Sequence, residues 1–81
     1  MMEDGIDYRE CLRRIFNENS VPHNCMFFGR KKDPNGEPIV TLSFEYKRVR
    51  LEFEEKTSKM EEGKNILCKR FYEKIMQALR S

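Results

Sequence analysis

Between residues 40 and 53 the apolar side chains change parity, and that change limits what this chain can fold into. Val40, Leu42, Phe44 and Tyr46 alternate with other residues at the two-residue period of a strand with one covered face. Val49, Leu51 and Phe53 alternate on the opposite parity. A two-residue connection at Lys47-Arg48 reconciles them. It sets Tyr46 opposite Val49, Phe44 opposite Leu51 and Leu42 opposite Phe53, all on one face of an antiparallel hairpin. Lys-Arg is a poor pair for the positive φ such a turn asks for, so a longer or distorted turn is the alternative. The opposite face carries Thr41, Ser43, Glu45, Arg50, Glu52 and Glu54 and is expected to meet water. The apolar face needs a cover from elsewhere in the chain.

Two stretches can supply it. Met60, Leu67, Phe71, Ile75 and Ala78 share one face of a helix of about 20 residues within Ser58–Leu79. Ser58 and Glu61 stand at the spacing of a capping box, and Gly63 is the only glycine in the run. Upstream, Tyr8, Cys11, Leu12, Ile15 and Phe16 make an apolar stripe. Asp7 is its N-cap, Glu10 lies three residues on, and Ile6 and Cys11 can form a hydrophobic staple. This first helix is expected over Tyr8–Glu18, ended by Asn19, Ser20 and Pro22. Arg9, Arg13, Arg14 and Asn17 take its wet side. Cys25–Arg30 is apolar on both parities and reads as a third strand of open register, followed by a turn at Asp33-Pro34-Asn35-Gly36.

The order is therefore α-β-β-β-α. It implies an α+β fold, a three-stranded antiparallel sheet with both helices packed on one face. The 81 residues make one domain, folded over about residues 6–79. Leu12, Phe16, Leu42, Phe44, Leu51, Leu67 and Phe71 are the expected core.

Composition narrows the function classes. Sixteen basic residues stand against 14 acidic ones, a net charge of +2 that favours no partner. No apolar run reaches membrane-spanning length and no signal peptide is visible, so no membrane partner is expected. Cys11, Cys25 and Cys68 are odd in number and lack paired metal-site spacing. They read as reduced thiols of an intracellular protein, cytoplasmic or nuclear. His23 is the only histidine. No nucleophile–base pair, metal set or glycine-rich phosphate loop is legible, so neither an enzyme nor a cofactor or metal is expected.

Gly63-Lys64-Asn65-Ile66, with Leu67, Cys68, Phe71, Tyr72 and Ile75 following in register, resembles the closing-helix signature of the double-stranded-RNA-binding domain. The element order of that family matches from about Ile6 to Leu79. The resemblance implies a module that contacts duplex RNA without sequence preference, through phosphates and 2′-hydroxyls. It places Lys59 and Lys64 at the start of the second helix as phosphate contacts. Arg30, Lys31, Lys32 and Asn35 would lie by one minor groove, and Arg13 and Asn17 by the other. The chain departs from the pattern in ways that matter. Met60 and Glu61 occupy the two leading lysine positions, Glu62 adds a second acid, and the strand-one loop lacks the family histidine.

Those departures keep a second class open: a protein-interaction or dimerisation module on the same fold, in an RNA-processing or silencing complex. Its partner is another protein or a second copy of the chain. Cys68, Tyr72, Met76 and Leu79 form a seam beside the core face, either covered by the first helix or offered to that partner. Ile66 lies among Glu62, Arg70 and Glu73 and is a candidate exposed contact. The Alu-domain proteins of the signal recognition particle share the element order. They bind RNA on the sheet face, which here carries Glu45, Glu52 and Glu54.

Overall fold

The computed structural model describes residues 5–80, with side chains as far as residue 78. Helix α1 spans Tyr8–Glu18, strands β1, β2 and β3 span Met26–Lys32, Pro38–Tyr46 and Val49–Lys56, and helix α2 spans Met60–Arg80. A 3₁₀ turn at His23–Cys25 precedes β1. The sheet is antiparallel in the order β1-β2-β3, and the fold is α+β in the expected order.

The β2–β3 register is the one the parity switch requires: Tyr46 opposite Val49, Phe44 opposite Leu51, Leu42 opposite Phe53. The two-residue turn forms despite its composition. Lys47 takes a φ of 55°, at a cost of about 1 kcal/mol for a residue with a Cβ, and its ammonium lies 5.3 Å from the centre of the Tyr46 ring. β1 begins at Met26, one residue later than expected. Its register sets Met26 opposite Phe44 and Phe28 opposite Leu42, facing the helices. Phe27 therefore falls on the open face, where it is 58% exposed.

The core lies between this sheet and the two helices. Phe71 stands at its centre, with ring centroids of Phe44, Phe53 and Phe16 at 4.9, 5.9 and 6.1 Å. Leu12, Phe16, Leu42, Phe44, Leu67 and Phe71 are buried as expected, and Tyr8, Val40 and Cys68 join them. Leu51 is a correction. It is only half-buried, because β3 is an edge strand with no neighbour on its outer side. Gly63 sets how closely α2 approaches: a Cβ there would meet Val40 Cγ2 at 2.8 Å and Thr57 Cγ2 at 2.9 Å.

The helix ends show why the chain turns where it does. Asp7 caps α1 by accepting from the N–H groups of Arg9 and Glu10. Glu10 does not complete a box; it pairs with Arg13 and Arg14. Ile6 is 42% exposed rather than stapled against the helix. At the C-terminus Val21 N–H donates to Phe16 O at 2.8 Å and Ser20 N–H to Asn17 O at 3.3 Å, a Schellman closure with Ser20 at φ 57° where glycine is usual. Before α2, the hydroxyl that accepts a backbone N–H is Thr57 Oγ1, from Lys59 at 3.1 Å, rather than the expected Ser58. Arg70 fastens α2 to the edge strand by donating to Glu54 O and to Glu55 Oε1.

Candidate nucleic-acid interface

Three segments meet at one end of the molecule. Lys32 lies opposite Pro38, and Ile39 opposite Lys56, so the β1–β2 turn and the end of β3 share that end. α2 starts four residues after Lys56. The first turn of α1 is there too, since Arg9 Nη1 reaches Glu61 Oε1 at 3.2 Å.

The turn is tightly organised. Asp33 O accepts from Gly36 N–H, and Asp33 Oδ1 accepts from the N–H groups of Asn35 and Glu37. Gly36 supplies the positive φ, 83°. Lys56 Nζ ties the turn to β3, at 3.0 Å from Asp33 Oδ2 and 3.4 Å from Glu37 Oε2. The Glu37 amide, with the Lys56 ammonium, holds the Asp33 carboxyl below its usual range. Asp33 and Glu37 in turn hold the Lys56 ammonium above its own.

The basic run beside this turn is divided. Arg30 lies opposite Val40 and faces the helix side, whereas Lys31 lies opposite Ile39 on the open face and pairs with Glu54. Arg30, Lys32 and Asn35 are exposed. On α1, Arg13 pairs with Glu10, and Asn17 Oδ1 is 2.8 Å from His23 Nε2.

The start of α2 carries the resemblance's phosphate contacts, and both have acidic neighbours. Lys59 is exposed, 3.8 Å from Glu62. Lys64 is more enclosed: its ammonium is 3.3 Å from Glu61 Oε2 and 5.3 Å from the centre of the Phe28 ring. The Arg9 guanidinium lies 5.6 Å from the same centre. Glu61 thus spans two cations, one through each oxygen, above a shared aromatic ring. Sequence reasoning did not reach this cluster, because Arg9 and Phe28 come from elements whose relative placement it left open.

The other expected surface is largely closed. Cys68 is fully buried, so it belongs to the core and not to a partner contact, and burial pushes its thiol up to about 12. Tyr72 is half-buried with its ring 5.8 Å from that of Tyr8, so α1 covers this part of the seam. Met76 and Ile66 are half-buried and stand outside the core cluster; Leu79 lies outside the described side chains. Among the described residues no group of three His, Cys, Asp or Glu side chains is arranged to hold a metal, and no helix is long and apolar enough to cross a membrane.

Comparison with family models, curated proteins and solved structures gives no match.

Proposed function

We propose that the domain binds double-stranded RNA weakly and without sequence preference, through backbone contacts. One observation supports the reading: the β1–β2 turn and the start of α2, two of the three contact segments that the resemblance implies, lie at the same end of the fold, and α1 reaches that end through Arg9 and Glu61. Lys59 and Lys64 act on phosphates, with Arg30, Lys32 and Asn35 beside one minor groove and Arg13 and Asn17 beside the other. Lys31 turns to the other face of the sheet and contributes less. Binding is weak because Glu61 and Glu62 neutralise the α2 cations that a phosphate needs.

That neutralisation also favours a second reading, a protein-interaction or dimerisation module. On that reading Ile66, Tyr72 and Met76 are the contacts.

Titration of a duplex of about 20 base pairs at several salt concentrations separates the two. A phosphate-driven complex weakens steeply with salt, and Lys59→Ala with Lys64→Ala flattens the slope by up to about two. Absence of duplex binding at low salt, together with a dimer or partner complex lost on Tyr72 or Met76 substitution, decides for the second.

A further inference from the structure

Strand β3 is an edge of the sheet, and its hydrogen bonds show which backbone groups face outward. Thr57 N–H donates to Pro38 O at 3.1 Å, in line with the β2–β3 register. Antiparallel pairs alternate between bonded and non-bonded, so the odd-numbered residues of β3 bond to β2. The N–H and C=O groups of Arg50, Glu52 and Glu54 therefore point away from the sheet. Arg70 Nη1 meets Glu54 O on that outer side, at 2.9 Å, and closes the edge there. The hairpin turn closes it before Val49. Residues 49–53 are left as an open edge with Leu51 at their middle.

The side chains of this segment are complementary to themselves. Reversed about Leu51, the segment sets Arg50 opposite Glu52, Glu52 opposite Arg50, and Val49 opposite Phe53. Arg50 and Glu52 of one strand lie 3.5 Å apart and are exposed. Pairing keeps that contact and adds another across the axis, so the charges alternate in sign. Val49 is 52% exposed and Leu51 and Phe53 are half-buried, so each has apolar surface to cover. The neighbouring registers fail. Centring on Arg50 or on Glu52 sets that charge opposite its own kind, and centring on Glu52 also needs the Glu54 O that Arg70 holds. The other edge, β1, carries Arg30, Lys31 and Lys32 and no acid, so two copies of it repel.

We propose that β3 pairs antiparallel with β3 of a second copy of this chain, about a two-fold axis through Leu51, to form one continuous sheet. Arg50 N–H donates to Glu52 O of the second copy, and Glu52 N–H to its Arg50 O. Symmetry repeats both bonds. The edge is short, so the dimer is weak and depends on concentration. The proposal rests neither on the RNA reading nor on the Tyr72–Met76 contacts, which lie on the flank of α2 that meets α1.

Analytical ultracentrifugation and amide hydrogen exchange over a range of chain concentrations test it. A dimer grows with concentration. The Arg50 and Glu52 amides exchange more slowly as it forms, while the Leu51 amide, already bonded to β2, changes little. Arg50→Glu and Glu52→Arg each set like charges across the axis and weaken the dimer by about tenfold. Both positions are exposed, so the folded monomer survives. An equimolar mixture of the two variants restores the dimer, because each then meets the charge it lacks. A chain that stays monomeric at every concentration, assembly that grows beyond a dimer, a dimer indifferent to either reversal, a mixture no tighter than its components, protection confined to β1, or a dimer lost on Met76→Ser in a folded chain each overturns the proposal.

Discussion

The middle of α2 closes on aromatic rings, whereas its start is held by ion pairs, a glycine and an amide without a partner. In the middle, Phe71 sits among Phe16 of α1 and Phe44 and Phe53 on the helix-facing side of the sheet. At the start, Gly63 stands against Val40 while Glu61, Arg9 and Lys64 pair at the surface and Asn65 Oδ1 stays unsatisfied. The two regions share one helix but do different things. The first holds the fold. The second keeps polar groups, one of them a buried acceptor without a donor, that the packing of the fold does not require.

The contrast can be broken by mutation. Phe71→Ala removes the ring at the centre of the core and should cost about 3–5 kcal/mol, read from the denaturant midpoint. A midpoint that barely moves would show that the aromatic region does not carry the fold. Gly63→Ala tests the other region. The alanine gains about 1 kcal/mol of helix propensity, but its Cβ meets Val40 and Thr57, an overpacking worth about 1–3 kcal/mol. A net loss of about 1 kcal/mol is expected. A net gain would mean that α2 stands further from β2.

Smaller effects sharpen the comparison. Asp33 has a lowered folded pKa, so its contribution is present above the ordinary carboxyl value of 3.8 and is lost as pH falls through the lower folded value. Lys56 has a raised one, so its contribution is complete below 10.5 and is lost as pH rises through the higher folded value. Unfolding midpoints measured against pH should therefore fall on the acid side, and Asp33→Asn should flatten that limb. Phe71→Ala should lower the whole profile without changing its shape. The smallest effect is that of Arg9→Ala, which breaks an ion pair with side chains 48% and 75% exposed and should cost under about 1 kcal/mol. A larger loss would mean that the Arg9 stem over Phe28 is part of the core.

Most of the fold was legible because periodicity reports faces. The parity switch alone determined the β2–β3 register, and the stripe from Tyr8 to Phe16 placed α1 to the residue. Burial at edges was less legible. Leu51 and Phe27 have the side chains of core residues, but one lies on an edge strand and the other on the open face of β1, whose register the doubly apolar run left free. The surroundings of the proposed phosphate contacts were less legible. Lys59 and Lys64 were found at the start of α2, yet their pairing with Glu62 and Glu61 depends on side-chain reach, and the Arg9–Phe28 contact depends on how α1 crosses β1. The burial of Asn65 follows from its place on α2. It shares a helical flank with Cys68 and Tyr72, at i, i+3 and i+7, the flank on which α1 lies in the structure.

The central claim is that the α2 lysines form a phosphate site restrained by acids of the same helix. Duplex-RNA affinity of the Glu61→Gln, Glu62→Gln double variant, compared with the parent across salt concentrations, tests it most directly. The account predicts tighter binding at low salt and a slope steeper by up to about two, as Lys59 and Lys64 are released to phosphates. Equal affinity and equal slope in the two proteins, or no duplex binding by either, would contradict it.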